Sequence, residues 1–179
     1  LCFSDTFSAF SLSTLWNNNN NNKKVTNKRK MSIQYCAESG DLEGVKRAME
    51  FDNDDINGMD GRGWTALMAA SQYGHADIVT FLLSKGANPN LQDEAGQAAL
   101  HLGIAHKNVV QALLNKGANP NVENPDGYTP LHYSCFEGSV ESAKLLVKAG
   151  ANKNKKTSDG LTARDLAKKY NYDAVAAVL

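Results

Sequence analysis

Apolar residues after Met31 recur at helical spacing in short paired bursts. Leu67, Ala70 and Ser71 make one face, and beyond Gly74-His75 a second face is built by Ile78, Val79, Leu82 and Leu83. Each burst lasts two or three turns, so the pattern predicts a helix, a tight turn and a second helix returning beside the first. Punctuation between pairs is regular: Gly86-Ala87-Asn88-Pro89-Asn90, Gly117-Ala118-Asn119-Pro120-Asn121 and Gly150-Ala151-Asn152-Lys153-Asn154, with Asn53-Asp54-Asp55-Ile56-Asn57 as a degenerate first copy. A glycine there can end a helix in the left-handed region, where no Cβ opposes it, and Asn53 is expected to do the same in the first copy.

A second marker precedes each pair: Gly63-Trp64-Thr65-Ala66-Leu67, Gly96-Gln97-Ala98-Ala99-Leu100-His101, Gly127-Tyr128-Thr129-Pro130-Leu131-His132 and Gly160-Leu161-Thr162-Ala163. Its glycines lie 33, 31 and 33 apart. Thr129-Pro130 is a helix start signal, because the hydroxyl can cap a backbone N–H and proline lacks a donor that would otherwise go unpaired. A fixed period of this length reads as a solenoid, in which each unit buries its apolar faces only against its neighbours.

Thr129-Pro130-Leu131-His132 and the Gly-Ala-Asn-x-Asn loops resemble the ankyrin repeat. The resemblance covers residues 31–179 and implies an all-α stack of helix pairs with β-turn fingers. It divides the chain into a capping copy (31–59), internal copies (60–92, 93–123 and 124–156) and a terminal copy (157–179). The third copy departs from the pattern: Leu67 to Gly86 and Leu131 to Gly150 each span 19 positions, but Leu100 to Gly117 spans 17. Ala105-His106-Lys107-Asn108 must close that hairpin with less chain, so a shortened first helix or a tighter turn is expected. Ala98 also replaces the capping threonine, which predicts local weakness.

Charge and cysteine content narrow the classes. The 179 residues carry no net charge, but residues 1–30 hold five basic side chains and Asp5, and the remainder holds 14 basic and 18 acidic. A mildly acidic repeat region argues against nucleic-acid binding. Three cysteines, Cys2, Cys36 and Cys135, are too few for a disulfide framework and fit a reducing compartment. No apolar run reaches membrane-spanning length and no Asn-x-Ser/Thr sequon occurs, so a cytoplasmic or nuclear protein is expected. Residues 1–30, with Asn17 to Asn22 and a Lys/Arg-rich stretch, read either as an upstream region translated in frame or as a disordered leader. By register Met31 matches Thr65, at a helix start. Leu179 matches Leu82, inside the last predicted helix, as a fragment would end; Arg164 and Asp165 instead suit the polar outer face of a terminal cap.

Catalytic and metal chemistry find little footing. His101 and His132 occupy the Leu-His position, where the resemblance implies structural hydrogen bonds to the helix start and the adjoining finger, and His75 belongs to the interhelical turn. His132 and Cys135 share a helical face, but two ligands do not make a zinc site. Asp52 to Gly58 resembles half of a calcium loop, with Asn53 first and Trp64 where a bidentate glutamate is needed. Neither an enzyme, a cofactor nor a metal is expected.

The resemblance places partner binding on a concave face of fingers and first helices. By register this face carries Arg62, Trp64, Gln97, Asp126 and Tyr128 on fingers, with Glu94, Asp159 and Leu161 beside them. It carries Gln72, Tyr73, His106 and Phe136, with Ala105 and Glu137, on first helices. Trp64, Tyr73, Tyr128 and Phe136 are expected to stand where packing does not require them, and interface energy concentrates on such residues. Residues 38–60 hold eight acidic and two basic side chains, and residues 144–169 the reverse, eight basic and two acidic. The split reads first as solvation of the two caps, with the signs accidental; the sharper reading is that Lys153, Lys155 and Lys156, with Lys144 and Lys148 nearby, steer an acidic surface toward the C-terminal end. The reading is a monomeric, non-catalytic protein–protein interaction module. The alternative is the targeting or regulatory domain of a larger enzyme or channel.

Overall fold

The computed structural model describes residues 31–51 and 54–179. Helices come in antiparallel pairs: α1 (Ile33–Ser39) with α2 (Leu42–Glu50), α3 (Ala66–Gln72) with α4 (Ala76–Ser84), α5 (Ala99–Leu102) with α6 (Lys107–Asn115), α7 (Pro130–Phe136) with α8 (Val140–Lys148), and α9 (Ala163–Lys169) with α10 (Asp173–Ala176). Each first helix packs on the first helix of the next pair, and each second helix on the next second helix. Ile33, Leu67, Leu100, Leu131 and Leu166, one per copy, are at most 1% exposed and belong to one apolar cluster along the first-helix layer. Burying a leucine stabilises by about 2 kcal/mol, and here the burial is supplied by the neighbouring copies.

Gly86, Gly117 and Gly150 end α4, α6 and α8 with φ of 93°, 81° and 89°. The asparagines that follow explain why the loop repeats so strictly. Asn88, Asn119 and Asn152 each accept the backbone N–H two residues on (3.0 Å in each copy). The second asparagine crosses to the next copy: Asn90 Oδ1 accepts the Asn119 N–H (2.8 Å) and its Nδ2 donates to the Gly117 carbonyl (3.2 Å). Asn121 repeats both bonds with Asn152 (2.7 Å) and Gly150 (3.1 Å). In the degenerate first copy Asn57 accepts from Asn88 (2.9 Å). Asn53 lies outside the described residues, as do the N-terminal leader and part of the acidic Asp52–Gly58 loop.

The third copy has the short first helix that its missing residues require: α5 has four residues against seven in α3 and α7. It also lacks the positive-φ turn glycine of its neighbours, Gly74 and Gly138. Three expectations about helix ends change. Thr65 and Thr162 cap their helices through the hydroxyl, at 3.2 and 3.3 Å, but Thr129 does not; its hydroxyl sits 2.8 Å from His132 Nδ1. At the first copy the cap is Ser32, which accepts the Tyr35 N–H (3.2 Å), one residue beyond Met31. The last helix stops at Ala176, held short of Leu179, whose side chain folds back into the core.

Candidate partner-binding site

Fingers are held by a clasp at their base that repeats with the chain. Asp60 Oδ1 accepts the N–H groups of Arg62 (2.8 Å) and Trp64 (3.0 Å). Asp93 does the same for Ala95 (3.0 Å) and Gln97 (2.8 Å), and Asn124 for Asp126 (3.1 Å) and Tyr128 (2.8 Å). Burial alone would raise the Asp60 carboxyl, but the two backbone donors and the Arg62 guanidinium hold it below the ordinary carboxylate range. The clasp fixes residues 62, 64, 97, 126 and 128 on rigid turns, so their side chains are presented at set positions.

Two of the fingers are then tied to the helix pair before them by histidine. His101 Nδ1 accepts the Ala98 N–H (3.1 Å), and its Nε2 lies 3.2 Å from the Tyr128 carbonyl. His132 makes the same pair of contacts with Thr129 (3.1 Å) and the Lys155 carbonyl (3.2 Å). One nitrogen accepts and the other must donate, so both rings are neutral with the proton on Nε2. Burial lowers both, His101 to about 4. These are the structural bonds that the Leu-His motif implied. The His101 bond takes the Ala98 N–H, not the His101 N–H that a threonine hydroxyl would accept; the latter bonds the Ala98 carbonyl (2.9 Å), and α5 has no side-chain cap. Cys135 is buried, and burial pushes its thiol up to about 11, leaving it inert.

The nine predicted contact residues fall into two groups. Seven line two adjoining grooves. Trp64, Gln72, Gln97 and His106 border a groove of about 440 Å³ together with Tyr133 and Glu137. Asp126, Tyr128 and Phe136 border a second of about 360 Å³, again with Tyr133 and Glu137. Arg62 and Tyr73 stand at the N-terminal rim and are tied to Glu38, at 3.0 and 3.1 Å. Arg62 also lies over the Trp64 ring, 4.5 Å from its centre.

Packing uses two of the four aromatics expected to be free of it. Trp64 and Tyr128 are half-buried against the core, and Trp64 Nε1 donates to Asp93 (2.9 Å). Tyr73 and Phe136 are open, at 49% and 37% exposed. Tyr128, Tyr133, Phe136 and Tyr170 form one aromatic surface across the last two copies, with neighbouring ring centres 5.0 to 6.4 Å apart. Burial first, then the negative fields of Asp159 and Asp126, raise the Tyr128 phenol. The register gave no hint of Tyr133, since it aligns with Ala69, a core position. The available signal is its size: a tyrosine stands where another copy needs an alanine, beside the copy that has lost two residues. It packs edge-on to His101 (5.1 Å), and its hydroxyl accepts from Gln97 (2.6 Å).

Three of the five lysines expected to steer a partner are engaged within the chain. Lys155 pairs with Glu123 (2.8 Å), Lys144 with Glu141 (2.8 Å), and Lys153 donates to the Val178 carbonyl (3.1 Å). Among the described residues no helix is long and apolar enough to cross a membrane, and no group of three or more His, Cys, Asp or Glu residues is placed to hold a metal ion.

The family model described as ankyrin repeats in three copies matches residues 8–93, 33–124 and 95–179. The NAD-capped RNA hydrolase NUDT12 of Pongo abelii is 32% identical over 83 residues, which are 45% of this chain and 18% of that protein. The DNA-binding protein RFXANK of Homo sapiens is 35% identical over 72 residues, 40% of this chain and 28% of that one. The E3 ubiquitin-protein ligase Ufd4 of Drosophila melanogaster is 32% identical over 157 residues, 86% of this chain but 4% of the ligase. The chain spans less than a third of the length of each of these relatives.

Proposed function

The chain belongs to the ankyrin-repeat family, and from that premise we propose that it is a non-catalytic module that holds another protein on its concave face. Repeats of this family generally mediate protein–protein interaction, and stability here is spent on presenting side chains rather than enclosing a reaction site. The observation that carries the reading is the pair of adjoining grooves, with rigid clasped fingers on one side and the open ends of α3, α5 and α7 on the other. Arg62, Trp64, Gln72, Tyr73, Gln97, His106, Asp126, Tyr128 and Phe136 are the contact residues of this reading. A second reading has the module target or regulate a larger protein, and it is favoured by the much greater length of the relatives, among them a hydrolase and a ligase.

Tyr73 and Phe136 test the face better than Trp64 and Tyr128, because the latter pair also packs. Affinity capture from cell lysate with the full chain, beside a Tyr73→Ser/Phe136→Ser variant, should return a partner that the variant loses while its Tm stays close to that of the parent. A partner kept by the variant would place binding elsewhere.

A further inference from the structure

The two grooves share Tyr133 and Glu137, so they form one track along the concave face. Its walls are aromatic: Trp64 at one end, then Tyr133, Tyr128 and Phe136. Its charge is acidic and unspent. The carboxylates of Glu137 and Asp126 line the track and Asp159 bears on Tyr128, yet none of the three forms an ion pair among the described residues. Two cations border the track. Arg62 is held by Glu38 and Asp60 over Trp64, and Lys169 lies against the far side of the cluster, 5.9 Å from the Tyr170 ring centre.

We propose that this track takes a basic, extended segment of the partner, with an arginine side chain laid on the Tyr133 and Phe136 rings and its guanidinium against Glu137. The inference rests on the adaptor reading and names the chemistry of its partner. Aromatic faces attract cations, and a planar guanidinium can stack while its edge donates to a carboxylate. An acidic segment would meet three carboxylates, and an apolar one would strip water from Glu137 and Asp126 without pairing them. A second copy is a poorer occupant, because Lys144, Lys148, Arg164, Lys168 and Lys169 at its basic end sit on the folded helices α8 and α9 and not on an extended segment.

The test is fluorescence anisotropy on the full chain with labelled octapeptides of alternating glycine and arginine, glycine and lysine, or glycine and glutamate. The arginine peptide should bind most tightly and the glutamate peptide not at all. Glu137→Gln, which preserves shape, and Phe136→Ser should each weaken the arginine peptide by about tenfold. Glu50→Gln, on the acidic first copy and away from the track, should leave it unchanged. Equal losses in Glu137→Gln and Glu50→Gln would mean diffuse attraction to an acidic surface and would overturn the proposal. So would a concentration-dependent dimer, seen by sedimentation, that Glu137→Gln dissolves, since the track would then belong to a second copy. If a captured partner is lost in the Tyr73→Ser/Phe136→Ser variant but no arginine peptide binds, the adaptor reading stands and this inference falls.

Discussion

At the scale of single residues, the two histidines of the Leu-His motif link folding to pH. His101 and His132 are neutral because each must accept at Nδ1 and donate at Nε2 inside the stack. Protonation would turn the acceptor into a second donor facing a backbone N–H. The unfolded chain has an ordinary imidazole, near 6.5, while burial holds folded His101 at about 4. The unfolded state therefore binds the proton first as pH falls, and stability present above 6.5 is lost progressively toward 4. Chemical denaturation between pH 7 and 5 reads this above most carboxylate titration. The wild type should lose on the order of 2 kcal/mol across that window from His101, and His101→Gln should lose distinctly less, from a lower starting stability. Equal slopes would show that the ring is free to charge in the folded state.

At the scale of the element, the third copy carries its own repair. Ile104 lies in the tightened turn after α5, and its carbonyl has no place in a regular helix. Ser142 of α8 donates to it at 2.6 Å, fully buried. Ser142 occupies the register position held by Ile78, Val109 and Val175 elsewhere, so a hydroxyl in an apolar seam marks the cost of the two lost residues. Hydrogen exchange should be fastest, within the internal copies, over residues 98–108, and Ser142→Ala should accelerate it there while lowering stability by about 1–3 kcal/mol, the cost of a buried acceptor left unpaired. Uniform protection across the three internal copies would refute the weak point. The period, the helix pairs, the left-handed glycines and the shortened α5 were all legible in the sequence, because spacing and glycine act locally. The finger clasp, the Ser142 bond and the place of Tyr133 were not, because each depends on which atoms a neighbouring copy brings near. Seven of the nine expected contact residues do meet in the two grooves, but register placed Trp64 and Tyr128 as free when the adjoining finger and first helix half-cover them.

At the scale of the molecule, coupling between copies decides whether the stack melts as one unit. In a solenoid each copy is unstable alone and is held by its interfaces, so weakening one interface uncouples what lies on either side. Asn121 is the clearest such tie, since its side chain both accepts from Asn152 and donates to the Gly150 carbonyl across the boundary between the third and fourth copies. Asn121→Leu removes both bonds and should cost about 1–2 kcal/mol, the net worth of two partly exposed hydrogen bonds. Its more telling effect should be on cooperativity. In a Trp16→Phe background, which removes the chain's other tryptophan, Trp64 fluorescence reports on the second copy, whereas far-ultraviolet circular dichroism averages all the helices. In urea the two signals should coincide for the parent chain, as a single transition requires. In Asn121→Leu the dichroism should begin to fall at lower urea than the fluorescence, because α7 to α10 open before the copies ahead of them. A variant whose two curves shift together would mean that the apolar cluster of Ile33, Leu67, Leu100, Leu131 and Leu166 couples the copies by itself, with the asparagine ladder setting loop geometry alone.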